Sequence, residues 1–126
     1  MFFSSLQANG KYIYQKGPET FKEAKDICIN KFGANLVSIH NDLEHKEVLQ
    51  VIRSNNGGAI VDTWIGLDDI IQEGSFVWSA GTPYVPSAFS SFAVKGNIKS
   101  KDYVYIGTGG MGCASKGSVQ RPFVCA

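Results

Sequence analysis

The sequence predicts an α+β fold, because two capped helical segments come before most of the segments that resemble strands. Two of these strands, residues 63–67 (TWIGL) and 73–78 (EGSFVW), indicate a buried sheet. The first carries an apolar run too short for a helix, and the second places Phe76 and Trp78 on one face with a period of two. We expect these two strands to lie at the centre of the domain.

The length of 126 residues predicts one domain over 1–126, with residues 1–10 expected to be flexible or added for expression. The net charge is +1 with both signs scattered, which argues against a nucleic-acid binder and against attraction to a membrane surface. No apolar run approaches the roughly 20 residues that cross a bilayer, so we expect no membrane insertion. No secretion signal is visible at the start, so an exported protein would have lost its signal.

The first third of the chain predicts a strand followed by a helix. Residues 11–15 alternate in the manner of a strand, and Pro18 is expected to end it. Thr20 and Glu23 form a capping box at the start of a helix, and Gly33 is expected to stop it. The apolar stripe of this helix directs Cys28 towards the core, and its members are Phe21, Ala24, Cys28 and Phe32.

A short strand is predicted at residues 36–39, followed by a second helix that begins near Asn41, carries Glu44 in its first turn and ends near Arg53. Residues 80–101 predict a long irregular loop. Loops of this length are usually either functional or disordered, and the aromatic residues here favour an ordered, functional loop. A strand at 103–106, a glycine-rich turn at 107–117 and a last strand at 121–125 complete the chain.

In this order the segments resemble the C-type lectin-like domain over nearly the whole chain. The matching residues are Tyr14, 21–28, 36–39, Glu44, 64–67, 73–78, 102–106 and 122–125. The resemblance implies two helices flanking antiparallel sheets, with the long loop at one end as the segment that contacts ligands. It also implies a secreted or cell-surface recognition domain.

The chain has three cysteines, an odd number, so at most one pair can close within it. No Cys-x-x-Cys arrangement indicates a zinc site. The resemblance implies a long-range disulfide between Cys28 and Cys125, whereas the positions of the family's second pair hold Tyr103 and Gly117. Cys113 is therefore expected to have no disulfide partner within the chain. It is either a small residue in the turn with a free thiol or the link of a disulfide-bonded dimer.

Sugar-binding members of the family hold calcium through carboxylate-bearing triplets, which this chain lacks. No Glu-Pro-Asn or Gln-Pro-Asp triplet lies in the long loop, Lys101 stands before Asp102, and the Trp-Asn-Asp position reads Gly-Cys-Ala at 112–114. Because a hard cation needs several carboxylates, we expect no primary-site calcium and no other cofactor. An auxiliary calcium site at Asp69, Glu73 and Asp102 stays open, beside purely structural roles for the three residues.

Two motifs that suggest an enzyme lack the necessary context. Residues 107–112 fit G-x-G-x-x-G, but no helix and no acidic residue follow, so a turn is predicted. His40 and His45 are expected on the solvated side and form no metalloprotease motif. A nucleophilic Cys113 paired with a histidine would give a hydrolase, but nothing in the sequence aligns such a pair. We therefore expect no enzymatic activity.

The remaining function is recognition of a protein or glycan ligand on a cell or matrix surface, without primary-site calcium. The alternative is a carbohydrate-binding lectin whose loop site is rearranged or calcium-assisted. For Phe89 we give equal weight to contact with a ligand and to packing in the loop's own small core. For Phe92 we expect contact with a ligand. The predicted ligand-binding residues are Tyr84, Phe89, Phe92, Lys95, Asn97, Lys99 and Lys101.

Overall fold

The computed structural model describes residues 11–95 and 102–126. Within them the helices are α1 (Phe21–Phe32) and α2 (Asp42–Ser54), and a 3-10 helix covers Pro86–Ala88. The strands are β1 (Ile13–Glu19), β2 (Thr63–Asp68), β3 (Val77–Trp78), β4 (Val94–Lys95), β5 (Tyr103–Ile106), β6 (Gly112–Ser115) and β7 (Arg121–Cys125).

The strands form one sheet in the order β1-β7-β2-β5-β6-β4, and β3 pairs with β2 away from this path. Pairing is antiparallel except between β2 and β7 and between β4 and β6, which run parallel. Two helices combined with this mixed sheet confirm the predicted α+β class. None of the helices in the described ranges has the length and apolar character needed to cross a bilayer.

Both helices begin where the sequence predicts. The Thr20 hydroxyl accepts the Glu23 backbone N–H at 3.2 Å, and the Glu23 carboxylate accepts the Thr20 N–H at 3.0 Å. Gly33 then stops α1 with a φ of 61°, a conformation that glycine adopts without strain. The Asn41 side chain caps α2 by accepting the Glu44 N–H at 2.9 Å.

Three strand predictions and one turn prediction need correction. The segment at 36–39 forms only a bridge from Leu36 to Cys125, because its backbone connects instead to β7 and β2. β1 continues past Pro18 to Glu19, since a register shift after Gln15 accommodates the proline. β3 is limited to Val77–Trp78, and β6 lies inside the predicted glycine-rich turn, where it pairs with β5.

The core divides into two clusters. The α1 cluster packs α1 against β2 and β7, and its buried members are Phe21, Ala24, Cys28, Leu36, Trp64, Phe123 and Cys125. The α2 cluster is larger, and its members include Val48, Ile52, Ile65, Leu67, Trp78, Phe92 and Val104. Within the α1 cluster a disulfide joins Cys28 to Cys125, with Cα atoms 5.5 Å apart, which is the pairing that the resemblance implies.

Candidate functional site

The long loop leaves the sheet after Trp78 and returns to it at β4. Between these points the Asp42 carboxylate, in the first turn of α2, fastens the loop. It accepts the Ser90 N–H with each oxygen at 3.0 Å and the Ser90 hydroxyl at 2.6 Å, and it accepts weaker bonds from Ser91 at 3.4 Å. The hydrogen bonds from the Ser90 hydroxyl and N–H lower the pKa of Asp42. We call this arrangement the Asp42 clasp.

His45 forms a second connection, one turn further along α2. Its Nε2 lies 2.7 Å from the Gly110 carbonyl oxygen, and its Nδ1 lies 3.5 Å from the Ser91 hydroxyl. The expectation of a solvated His45 is wrong, because the side chain faces inward from α2, is only 5% exposed and packs edge-on against Phe92. His40 does lie at the surface, 3.1 Å from the Glu44 carboxylate.

Four aromatic rings form a small core under the loop: Trp78, Tyr84, Phe89 and Phe92. Phe92 sits at its centre and is only 4% exposed. The assignment of Phe92 to ligand contact is therefore corrected, because its ring is used in packing against Trp78, Phe89 and His45. Tyr84 and Phe89 are half-buried, and burial raises the pKa of the Tyr84 phenol.

Two of the cavities that border the loop, an apolar one and a polar one, share no lining residue with each other. The apolar cavity measures about 320 Å³ and is lined by Ile39, His40, Trp78, Thr82, Pro83, Val85, Ala88 and Phe89. The polar cavity measures about 410 Å³ and is lined by Asp42, His45, Lys46, Leu49, Ser90, Ser91, Gly109, Gly110 and Met111. Val85 stands at the apolar cavity with 46% of its surface exposed. Both cavities can receive a ligand group at the loop.

The loop carries no carboxylate of its own. No aspartate or glutamate occurs from residue 74 to residue 101. Its predicted basic residue Lys95 is exposed on β4, whereas the predicted residues Asn97, Lys99 and Lys101 lie outside the described ranges. A divalent cation at the loop would therefore have to take its carboxylate ligands from elsewhere in the protein.

The acidic residues of the predicted auxiliary site differ in burial and in their hydrogen bonds. Asp69 is fully buried, accepts the Asp102 N–H at 2.6 Å and accepts the Gly74 N–H at 2.9 Å. It thereby connects the β2–β3 turn to the start of β5, while Glu73 is exposed. The structure thus brings Asp69 and Asp102 together, while among the described residues no three His, Cys, Asp or Glu side chains are arranged to hold a metal.

Cys113 and the residues before it lie in the β5–β6 hairpin. The turn at 107–111 leads into β6 rather than a helix, which confirms that the glycine motif is a turn. The Cys113 thiol is free and half-buried, 3.7 Å from the Met111 carbonyl oxygen. The hydrogen bonds of His40 and His45 go to other groups, so no cysteine–histidine pair is formed.

The sequence reasoning missed Asp42, His45 and the Gly109–Gly110 wall of the polar cavity. Asp42 has the ordinary signature of an acidic residue in a first helical turn, which indicates only favourable interaction with the helix dipole. Asp42 and Ser90 are 48 positions apart, so no local pattern in the sequence reveals their contact. No signal in the sequence could have identified this connection.

Comparison with known proteins gives consistent matches. A family model described as Lectin C-type domain matches residues 17–126. The low affinity immunoglobulin epsilon Fc receptor of Mus musculus is 39% identical over 72 residues, covering 57% of this chain and 20% of the receptor. The galactose-specific lectin nattectin of Thalassophryne nattereri is 34% identical over 73 residues, covering 58% of this chain and 45% of nattectin. This chain thus spans less than half the length of either relative.

A solved structure shows a similar fold. The C-type lectin CEL-I of Cucumaria echinata superimposes with a TM-score of 0.75 at 23% sequence identity, covering 94% of this chain and 91% of that one. At this level of identity the likeness concerns the fold alone. It agrees with the two helices and the mixed sheet described above.

Proposed function

The chain belongs to the C-type lectin domain family, and from that premise we propose that it is an extracellular recognition domain whose long loop binds a protein or glycan ligand without primary-site calcium. One observation carries the proposal: the loop is fastened by the Asp42 clasp and by its own aromatic core, and residues 74–101 include no acidic side chain. The described part of the loop is thus held in place by protein groups.

The relatives support both classes of ligand. One is named as a receptor for an immunoglobulin Fc region and the other as a galactose-specific lectin. The apolar cavity at Val85 and Phe89 has the character of a pocket for an apolar side chain of a protein partner. The exposed Lys95 on β4, where the loop ends, would contribute a polar contact to the ligand.

The alternative is a carbohydrate-binding lectin whose site is rearranged or calcium-assisted. It is favoured by the name of nattectin and by the hydroxyl-lined polar cavity. Auxiliary calcium at Asp69, Glu73 and Asp102 would belong to this alternative. Asp69 already accepts two backbone N–H groups, so metal binding there would compete with hydrogen bonds that hold the turn.

Three further parts of the proposal follow from family membership and chemistry. The domain acts outside the cell, either secreted or at the cell surface, on a ligand of a cell or matrix surface. It acts by binding rather than by catalysis, as the names of its relatives suggest. The half-buried Cys113 thiol would link two copies only if β6 became accessible, and non-reducing electrophoresis with a Cys113→Ala control tests this.

Binding measured in calcium and in chelator tests the proposal. We would apply the chain to a printed glycan array and to mammalian cells, with Val85→Asp as the loop variant and Val119→Asp as its control. Val119 is exposed to a similar degree, at 43% against 46%, but lies outside the loop. We expect binding that persists in chelator and is lost in Val85→Asp only, because a carboxylate at an apolar contact must be desolvated.

Two outcomes would count against the proposal. Sugar binding that disappears in chelator contradicts calcium independence and favours the alternative. Equal binding by wild type, Val85→Asp and Val119→Asp would remove this face of the loop from the site.

A further inference from the structure

A further cavity lies between α1, the β2–β3 turn and the start of the long loop. Its volume of about 440 Å³ is in the range of ligand pockets, and we call it the Asp68 groove. Apolar and aromatic side chains contribute much of its lining: Phe21, Ile70, Ile71, Val77 and Tyr103. Four charged side chains also line it: Lys22, Lys25, Asp26 and Asp68. The groove therefore combines apolar surface with charges of both signs.

Asp68, the last residue of β2, is only 8% exposed. Its Oδ1 accepts the Ile70 N–H at 3.1 Å, whereas its Oδ2 makes no hydrogen bond to the described residues and remains accessible to solvent. Within the described ranges, no lysine, arginine or histidine nitrogen lies within 4.0 Å of the Asp68 carboxylate. A largely buried carboxylate therefore lines the groove with one oxygen unoccupied.

The nearby Lys25 compensates the charge of Asp68 only in part. Burial raises the pKa of Asp68 above its ordinary value, while the hydrogen bond from the Ile70 N–H and the attraction of Lys25 each lower it by less. Lys22 and Asp26 are exposed, so water and salt screen their charges. An anion in the groove would approach the buried carboxylate, where a lower dielectric strengthens repulsion. The groove thus favours a cation that reaches Oδ2.

Ile71 extends the apolar lining of the groove to the protein surface. It lies in the β2–β3 turn with 86% of its surface exposed, next to the half-buried Ile70. A small free amine would leave Ile71 in water, whereas a protein with an apolar residue beside a basic one would cover it. Arginine suits the groove better than lysine, because its guanidinium is more weakly hydrated and stacks on aromatic rings such as that of Tyr103.

We propose that the Asp68 groove is a docking site for a protein partner that inserts one arginine side chain. The guanidinium pairs with Asp68, the aliphatic part of the arginine lies along Val77 and Tyr103, and a flanking apolar residue of the partner covers Ile71. This surface is additional to the loop site of the proposed function. Val85 does not line the groove, so each surface can be tested without the other.

The experiment titrates the full chain with the capped peptide acetyl-Leu-Arg-Leu-amide and records backbone amide NMR spectra. Two matched peptides carry citrulline or glutamate in place of the arginine, and citrulline keeps the shape of arginine without its charge. We expect the arginine peptide to bind and to shift the amide signals of Ile70, Ile71 and Val77. The citrulline peptide should bind about tenfold more weakly or worse, because it lacks charge-assisted hydrogen bonds to the carboxylate.

Two pairs of variants test the two halves of the contact. Asp68→Asn keeps an acceptor for the Ile70 N–H and should weaken binding of the arginine peptide about tenfold or more, whereas Asp62→Asn removes an acid outside the groove and should bind as wild type does. Ile71→Ser should weaken binding several-fold, whereas Leu43→Ser, at an exposed position on α2, should not. Thermal unfolding verifies that all four variants are folded.

Several results would overturn the arginine site. They are absence of binding by the arginine peptide, signal shifts that fall elsewhere, equal binding of the citrulline peptide, and tighter binding of the glutamate peptide. Binding that Asp68→Asn leaves unchanged would also do so. Agmatine that binds as tightly as the arginine peptide would assign the groove to a small free cation instead of a protein.

The comparison of peptides on the wild type decides the matter even if Asp68→Asn fails to fold. Failure of the arginine site leaves the proposed function of the loop to the Val85→Asp test. Loss of loop binding in that test, in turn, leaves the Asp68 groove to the peptides.

Discussion

The α1 cluster and the long loop are held in place by different kinds of interaction. In the α1 cluster a disulfide connects the helix to the last strand, Phe21 packs perpendicular to Trp64 at 5.5 Å, and the Arg121 guanidinium covers the Trp64 ring at 4.8 Å. The loop is held by hydrogen bonds to the half-buried Asp42 carboxylate and by a weaker contact of Ser91 with the buried His45, with four aromatic rings beneath. The first region is closed by a covalent bond, whereas the second is held by noncovalent contacts.

This difference indicates how a firmly held framework can carry a recognition segment that is held less firmly. Local opening of a protein needs less free energy where few buried contacts hold a segment. Residues 79–91 are mostly exposed, and beyond Tyr84 the Asp42 carboxylate binds their backbone at Ser90 and Ser91, so we expect this part of the loop to open more readily than β2 or β7. The three predictions that follow test whether the two regions really differ in this way.

The largest effect is expected from removing the disulfide. Cys28 and Cys125 are 97 positions apart, and a closed loop of that size contributes about 4–5 kcal/mol in the chain-entropy model. The double variant Cys28→Ala with Cys125→Ala should lose about this much free energy of unfolding, measured by urea denaturation. Cys113→Ala is the control, because that thiol is free and only half-buried.

If the comparison holds, amide exchange in the double variant accelerates throughout the α1 cluster. Ser90 and Ser91 should exchange at rates close to those of the wild type, as long as the variant remains folded. An unfolding free energy equal to that of Cys113→Ala would show that the bond adds nothing.

An intermediate effect is expected from adding one methyl group to a glycine in each region. A Cβ on Gly66 would come within 2.5 Å of the Leu36 carbonyl oxygen, so Gly66→Ala should lower the free energy of unfolding by about 1–3 kcal/mol. Gly109→Ala meets open space and should leave stability unchanged or raise it by up to about 1 kcal/mol. Thermal and urea unfolding of the pair measure both. A larger loss in Gly109→Ala than in Gly66→Ala would reverse the comparison.

The smallest effect is local and depends on pH. The pKa of Asp42 is lowered in the folded protein by the hydrogen bonds from Ser90, so the clasp is complete above the pKa of an unfolded aspartate, about 4. It weakens as the pH falls below that value and is lost through the lower folded pKa. The protection of the Ser90 and Ser91 amides, taken relative to the intrinsic exchange rate at each pH, should therefore fall in acid, while the protection of the α1 amides is unaffected by this group.

In the variant Asp42→Ala, the Ser90 and Ser91 amides should already have this low protection at neutral pH. Asp26→Ala, on the exposed face of α1, is the control for removing one aspartate. Exchange at Ser90 that is equally slow in Asp42→Ala and the wild type would show that the aromatic core alone fixes the loop.

Most of the framework could be predicted because its signals are local. A capping box at Thr20 and Glu23, and a side-chain cap at Asn41, need only neighbours in the chain, and both helices begin there. The strands at 63–67 and 121–125 follow from apolar runs of the right length. The bounds of β3 and the existence of β6 were missed, because strand pairing is decided by distant backbone rather than by the segment itself.

The candidate site was predictable only as a segment. The loop and its aromatic residues were identified. However, Phe92 was predicted to contact a ligand and His45 to face solvent, whereas both side chains are buried. Whether an aromatic ring on an irregular loop points in or out depends on what lies beneath it. Here the space beside His45 and Trp78 accepts Phe92.

The sequence by itself determined the fold family, both helices and the position of the long loop, since caps, periodicity and motifs act within a few residues. Only the tertiary structure decided what holds that loop. Asp42 meets Ser90 across 48 positions and His45 meets Ser91 across 46, and contacts of that span exist only once the chain has closed on itself.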